Sequence, residues 1–370
     1  MSELKMVRLG EILQIQPKSK IKAGDGLQEG TYPFYTCSNE LTKRIDTADY
    51  EGPALIFGTG GNASIHYANG KFSTSTDCLV YKADKTTNLS LINKFLRHNI
   101  YLLENGFKGA GLKHISRDYI ANIEITLPSI LEQNKLVTQF DLIESIIANH
   151  KSMLQKYDTL IKSRFIEMFG DISTGKYKFE TRKLGEVAEV GSSHRVFTTE
   201  FVEQGIPFYR GTEIGELANG KIPQEPYYIS EEHYQRLIAH DSKPQIGDLL
   251  MPSICNKGQV WMVDTEEPFY YKDGRVLSIS PNQEIYNSKY LQYFMREKTL
   301  IEYPKLGSGS TFAEFKIFLL KDIDVLTPPL VLQNDFASFV QQIDKSKFAV
   351  QKSLEKTETL YKSLMQEYFG

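Results

Sequence analysis

Pro128-Ser129-Ile130-Leu131-Glu132-Gln133-Asn134-Lys135-Leu136 returns 200 residues later as Pro328-Pro329-Leu330-Val331-Leu332-Gln333-Asn334-Asp335-Phe336. The match runs without a gap to Gly170 and Gly370, and Ile143, Leu154, Lys156, Thr159, Leu160, Lys162, Ser163, Glu167 and Phe169 all recur. A chain that repeats itself at a fixed offset is built from two copies of one structural unit. Apolar residues follow alternating steps of four and three, through Leu136, Phe140, Ile143, Ile147, His150, Leu154, Tyr157 and Ile161 and on to Arg164 and Met168. The second copy keeps the frame with Phe336, Val340, Ile343, Lys347, Val350, Leu354, Thr357, Tyr361, Leu364 and Tyr368. That spacing is a heptad seam, so each copy is expected to be one long helix of a coiled coil. Ser129 with Glu132, and Thr327 before Pro328-Pro329, suit helix starts, while Gly170 and Gly370 suit helix ends.

The repeat reaches beyond the helices. Leu9-Gly10-Glu11 returns as Leu184-Gly185-Glu186, and Tyr32-Pro33-Phe34-Tyr35 as Ile206-Pro207-Phe208-Tyr209. Short apolar strands are expected at Ala54–Phe57 and Leu249–Met251, each entered through a Gly turn. A helix near 89–104 matches one near 288–303, and Ile123-Glu124-Ile125 and Ile323-Asp324-Val325 read as last strands. The expected order is a domain over 1–126, a helix over 127–170, a second domain over 171–327 and a second helix over 328–370. Identity between the halves collapses outside these anchors, so the frame is shared and the loops have separate jobs.

Connectivity then sets geometry. A helix of about 40 residues is about 60 Å long, whereas a domain of about 150 residues has a radius of gyration near 15 Å. The middle domain therefore joins two nearby helix ends, which makes the helices antiparallel and sets two similar domains at opposite ends of a two-helix rod. Full overlap, with residue 128 beside residue 370, brings His150 close to Lys347 and predicts a polar layer in the seam.

Composition narrows the function. The chain has 370 residues, 41% hydrophobic, with 43 basic and 46 acidic residues and a net charge of −3, so any polyanion contact rests on local basic patches. No apolar run reaches membrane-spanning length and Met1–Gly10 has no signal-peptide core, which points to the cytoplasm and no membrane partner. Cys37, Cys78 and Cys255 give neither a disulfide framework nor a zinc knuckle, and a reducing compartment fits. The seven histidines show no metal spacing, and there is no Walker loop or Gly-x-Ser-x-Gly elbow. Ile56-Phe57-Gly58-Thr59-Gly60 is followed by turn-like sequence where a nucleotide site needs a helix, so it reads as a hairpin loop. Catalytic, metal and cofactor residues are thus expected to be none.

Two similar domains held at fixed separation suit a reader of two short sites on duplex DNA. Candidate contacts in the first half are Lys43, Arg44, Asn62, Lys71, Lys108, Lys113, His114 and Arg117. In the second half they are Ser193, His194, Arg195, Arg210, Thr212, Asn256, Lys257, Arg275, Ser310 and Thr311. These are small or donor-bearing residues in loops that can approach phosphates and base edges. An enzyme with a non-standard site in the Gly-rich loops and a protein-binding scaffold of duplicated domains are the alternatives.

The strand-then-helix passages Ile123–Asn134 and Ile323–Asn334, with the openings at Leu9-Gly10-Glu11 and Leu184-Gly185-Glu186, resemble the specificity subunit of type I restriction-modification systems across essentially the whole chain. The first copy has Pro128-Ser129 and Glu132-Gln133, the second Pro328-Pro329 and Leu332-Gln333, where the family pattern is Pro-Pro and Glu-Gln. The resemblance implies an α+β fold in which two target-recognition domains are joined by two long antiparallel helices under a pseudo-two-fold repeat. It implies a non-catalytic, DNA-binding subunit of a bacterial defence system, each domain reading one half of a bipartite target. It further implies two modification (methyltransferase) subunits docked on the helices and carrying S-adenosylmethionine chemistry for DNA methylation, and restriction subunits that use ATP and magnesium.

Overall fold

The structure is a computed structural model that describes residues 5–239, 243–307 and 313–369. Four helices matter most: α1 (Leu89–His98), α2 (Ile130–Phe169), α3 (Ser288–Glu302) and α4 (Leu330–Phe369). The chain divides into two compact units, residues 1–153 with 350–370, and residues 154–349. Each unit contains a mixed sheet-and-helix domain and one part of each long helix.

In the first unit Ala54–Gly58 is buried at every position, as expected of a strand covered on both faces. It pairs antiparallel with Ser64–Ala68 and Cys78–Ala83, and Leu13–Ile15 completes a four-stranded sheet. The loop between Gly58 and Ser64 is the hairpin connection that its sequence suggests. A second sheet holds Lys43–Ile45, Tyr32–Tyr35, Lys71–Thr74 and Tyr50–Glu51 in that order, with Tyr32–Tyr35 and Lys71–Thr74 parallel. Lys5–Arg8 pairs with Glu124–Leu127 just before α2. Leu55, Phe57 and Ile65 pack against Ile92 and Leu96 of α1.

The second unit repeats the antiparallel sheet strand for strand, while its other sheet runs Phe201–Val202, Tyr227–Ile229, Ile206–Tyr209 and Tyr270–Tyr271, with the extra strand on the opposite edge. Ala188–Ser192, Val276–Pro281, Leu249–Pro252 and Trp261–Met262 form its antiparallel sheet, and Ile206–Tyr209 lies parallel to Tyr270–Tyr271 in the other. Thr181–Lys183 pairs with Asp324–Leu326 just before α4. Leu249, Met251, Leu277 and Ile279 pack against Leu291, Phe294 and Met295 of α3.

The Gln-Asn pair of each long helix has a definite mechanical role. In the first unit the Gln133 Oε1 accepts from the Asn88 backbone N–H (2.8 Å) and the Asn134 Oδ1 from the Asn88 Nδ2 (2.7 Å). Asn88 meanwhile caps α1, its Oδ1 accepting from the N–H groups of Ser90 and Leu91. Gln133 Nε2 donates to the carbonyls of Pro128 and Thr86. The second unit repeats the arrangement with Asn287, Gln333 and Asn334, at 3.0 and 2.9 Å, and Gln333 Nε2 donates to Pro328 and Ile285. Gln333 is fully buried. Gln333→Ala strands two carbonyls and one N–H away from water, so it should cost about 2–3 kcal/mol at the unsatisfied-group scale. Denaturant unfolding should show the loss, and a loss below about 0.5 kcal/mol would contradict this account.

Every seam residue from Leu136 to Ile161 and from Phe336 to Leu364 is buried or half-buried, whereas Tyr368 is largely exposed. Within the first unit α2 and α4 run antiparallel: Phe140 stacks on Phe369 at 5.5 Å, Glu144 accepts from the Tyr361 hydroxyl at 2.7 Å, and Lys151 pairs with Glu358 at 2.9 Å. Within the second unit Phe165 meets Phe336 edge-on at 5.4 Å and Lys347 pairs with Asp158 at 2.5 Å. Charged pairs do line the seam, yet Lys347 faces Asp158, two turns beyond His150. Full overlap fails because the first turn of each long helix docks on its own domain through the Gln-Asn pair. The frame also shifts at the ends of the helices. Phe165 and Phe169 are buried while Arg164 and Met168 are only half-buried, and Met365 and Phe369 repeat the pattern beside Leu364 and Tyr368. Steps of four turn the apolar stripe off the two-helix seam and onto the domain. Thr327 departs from its expected capping role too, since its hydroxyl hydrogen-bonds Tyr286 at 2.7 Å.

Candidate nucleic-acid interface

Each unit gathers loops at one edge of its antiparallel sheet. In the first unit Thr59 follows the strand Ala54–Gly58, and its N–H and hydroxyl both donate to the Asp77 carbonyl at 2.9 and 2.8 Å. The Ile115 N–H donates to the Thr59 carbonyl, and the Gly61 N–H to that of Lys113, each at 3.1 Å. Lys108 and His114 exchange both backbone hydrogen bonds, at 2.9 and 3.0 Å. These bonds stitch 58–62 and 108–114 into one ribbon, and Gly109 at φ 144° sits in a conformation reserved for glycine. Asn62, Lys108, Lys113 and His114 are exposed on it, with Leu112 71% exposed among them and Arg117 opening the next short helix.

Three other candidates lie on the second sheet. Lys43 Nζ donates to the Ala23 carbonyl at 2.7 Å, and the Arg44 guanidinium to the carbonyls of Gly30 and Thr31 at 2.6 and 2.8 Å. Those two cations therefore hold the loop over residues 22–31. Lys71 is exposed at the start of its strand.

The second unit builds the same edge with different residues. The Ser253 N–H donates to the Arg275 carbonyl and the Phe315 N–H to that of Ser253, both at 2.8 Å. Ser253, Arg275 and Phe315 thus stand where Thr59, Asp77 and Ile115 stand in the first unit. The Ser192 hydroxyl donates to the Val276 carbonyl and that of Ser193 to Tyr271, while the His194 N–H donates to the Tyr270 hydroxyl, which fixes the strand end beside 270–276. An open cleft results, lined by Arg195, Phe197, Lys272, Arg275, Glu314 and Lys316. Arg195 lies over the Phe197 ring at 5.2 Å. Glu314 pairs with Lys316 and, at 2.7 Å, with Arg275; the Lys316 hydrogen bond, then both charges, hold its carboxyl below the usual range. Four cations against Asp273 and Glu314 leave the cleft net positive, as an anionic backbone requires.

Arg210 is otherwise engaged. It pairs with the buried Glu213 at 2.5 Å and lies 4.4 Å over the Tyr227 ring. Burial alone would raise the Glu213 carboxyl, but the hydrogen bonds from Arg210 bring it below its usual value. Thr212, Asn256 and Lys257 are exposed. Gly258 lies at φ 65°, and a Cβ there would meet the Arg296 carbonyl at 2.8 Å. Ser310 and Thr311 lie outside the described residues. Sequence reasoning missed Lys272, Lys316 and Phe197 of the cleft. The turn Lys272-Asp273-Gly274-Arg275 carried a signal for the first, while Lys316 joins only through the pairing of Phe315 with Ser253. Among the described residues no cluster of His, Cys, Asp and Glu could hold a metal ion, and no helix is long and apolar enough to cross a membrane.

Residues 1–156 and 176–358 match the family model of the type I restriction modification DNA specificity domain. The type I restriction enzyme EcoDI specificity subunit of Escherichia coli is 25% identical over 158 residues, spanning 43% of this chain and 35% of that protein. The MjaVIII specificity subunit of Methanocaldococcus jannaschii is 25% identical over a 395-position alignment that covers 97% of this chain and 90% of its own. In fold, the chain is similar to the S subunit of a type I restriction-modification system from M. genitalium, with a TM-score of 0.69, 13% identity and coverage of 100% and 96%. It is also similar to a chain solved in a study of complex assembly and conformational transition of the type I R-M system, with a TM-score of 0.53, 17% identity and coverage of 99% and 96%.

Proposed function

The chain belongs to the type I restriction-modification DNA specificity family, as a specificity subunit and a non-catalytic component, and we propose that each of its units reads one half of a bipartite duplex target. The observation that carries this reading is the charge reversal between equivalent loop edges. Asp77 and His114 in the first unit occupy the places of Arg275 and Glu314 in the second. A shared frame with opposite charge at one point, and an imidazole against a carboxylate at the other, suits two different base sequences. Asn62, Lys108, Lys113 and His114 would contact the first half-site, and Arg195, Lys272, Arg275 and Lys316 the second. The long helices would set the spacing and dock two modification subunits. Leu131 and Val331 (81% and 71% exposed), and Leu160 and Leu360 (46% and 51%), recur at matching positions on α2 and α4, which favours two like partners. S-adenosylmethionine, and ATP with magnesium on restriction subunits, would belong to those partners. Partner charge would also offset the net −3 of this chain.

Co-expression with a modification subunit followed by mapping of methylated bases tests the reading. A split motif with an unread spacer is expected, and a continuous motif would overturn it. Arg195→Ala and Lys316→Ala should each weaken binding of the assembled complex evenly across sequences. Each should lower the slope of log affinity against log salt by about one. An unchanged slope in both variants would remove the cleft from the interface.

A further inference from the structure

We propose that Cys37 and Cys78 form an oxidation site in the first unit, where a peroxide converts the two thiols to a disulfide at the base of the loop over residues 58–62. The chain brings Cys37, in the bend just after the strand Tyr32–Tyr35, to Cys78 at the start of the strand Cys78–Ala83. Cys78 pairs with Gly58 across the sheet, and a Cβ on Gly58 would meet the Cys37 Cα at 2.9 Å and its Cβ at 3.2 Å. The glycine is therefore the space in which Cys37 sits. In its protonated form Cys37 donates to the Asp77 carbonyl at 3.1 Å, while the Cys78 sulfur lies 3.6 Å from the Ser75 hydroxyl and 3.8 Å from the Tyr35 carbonyl. Cys37 is half-buried, whereas Cys78 and Cys255 are buried.

The pair is asymmetric in a way that suits stepwise oxidation. The Cys78 thiol, followed by the backbone of Gly60 and Thr59, hydrogen-bonds the Cys37 sulfur, and against the opposing effect of burial these bring it down to about 6. Cys78 is shifted upward by its bond to Cys37 and by burial. Cys37 is thus the nucleophile and Cys78 holds the proton. The Cys37 thiolate attacks one peroxide oxygen and the O–O bond breaks, giving a sulfenic acid and hydroxide, which takes up the proton released when Cys37 ionised. The Cys78 sulfur then attacks the Cys37 sulfur, the S–O bond breaks, and the hydroxyl leaves with the Cys78 proton as water. In sum, two thiols and one hydrogen peroxide become one disulfide and two waters.

The bond has a target within reach. The Asp77 carbonyl that accepts from Cys37 also accepts both Thr59 donors, and the Thr59 carbonyl accepts from Ile115 and lies 3.2 Å from the His114 Nδ1. Drawing the Cys37 sulfur toward Cys78 removes one donor from that junction and shifts the ribbon that carries Asn62 and His114. This consequence rests on the first unit reading DNA, whereas the bond itself does not.

The full chain, co-purified with its modification subunit, is treated with a small excess of hydrogen peroxide and mapped by mass spectrometry without reduction. The expected product joins the Cys37 and Cys78 peptides with loss of two hydrogens and leaves Cys255 free. Cys37 oxidised to the sulfinic acid beside a free Cys78, or no oxidation, would overturn the proposal. Independently, iodoacetamide at neutral pH should label Cys37 about tenfold or more faster than Cys255, a thiol that burial pushes up to about 11; equal rates would overturn it too. Methylation of the mapped target by the oxidised complex should fall about tenfold and recover with dithiothreitol. A bond that forms while methylation is unchanged overturns only the link to the ribbon. Absence of the bond in a complex that reads a split target leaves the DNA reading standing.

Discussion

Replacing residues 1–126 by the matching segment of a relative with a different target should change one half of the methylated sequence and leave the other half and the spacer as they were. The effect is large, because each altered base pair costs about 1–3 kcal/mol and three together amount to about a hundredfold or more. The structure says what the donor segment must keep. Lys94 of α1 is nearly buried and pairs with Asp141 at 2.9 Å and Glu144 at 2.8 Å on α2. Asn99 Nδ2 donates to the Phe369 carbonyl at 3.1 Å. A donor should keep Asn, Lys and Asn at the positions of 88, 94 and 99, and the apolar residues at 91 and 95 that pack against Leu136, Phe140 and Phe369. Methylation mapping of the hybrid decides the matter, and a change in both halves would end the idea of two independent readers.

Lengthening both long helices by one heptad should alter the spacer alone. The insertions belong after Met153 and after Ala349, where the chain passes from one unit to the other. Seven residues keep the seam in frame and add about 10 Å of helix, which at 3.4 Å per base pair corresponds to about three more unread base pairs. Three base pairs also rotate one half-site by about 100° at 10.5 base pairs per turn, so activity on the original target should drop by about a hundredfold or more. What the mechanism forbids is a changed half-site beside an unchanged spacer.

Much of this was legible in the sequence because it rests on periodicity. The 200-residue offset, the helical frame from Leu136 and from Phe336, and the strands at Ala54 and Leu249 are local patterns that a fold can hardly disguise. The register of α2 against α4 was not legible, since it depends on Gln133 and Gln333 reaching Asn88 and Asn287, partners more than forty residues away in sequence. The departure of Phe165 and Phe169 from the seam had a visible trace in the recurrence of Phe169 as Phe369, but the heptad frame drew attention to Arg164 and Met168 instead. The candidate interface was legible only in part. Lys43 and Arg44 are indistinguishable by composition from Lys108 and Lys113, and only the carbonyls they bind show them holding a loop. The Cys37–Cys78 pair and the Lys316 corner of the cleft exist because strands distant in sequence end at one edge, and no spacing rule anticipates that.

The junction of Asn88 with Gln133 and Asn134, and its counterpart at Asn287, acts as a standard coupling. Nothing in it refers to the loops that differ between the units, so a gene broken and rejoined at either coupling is expected still to encode a folded product. On the proposed reading, inheritance would then shuffle the reading parts as whole cassettes, and a lineage would acquire a new target in one recombination event rather than through a long series of individually damaging substitutions.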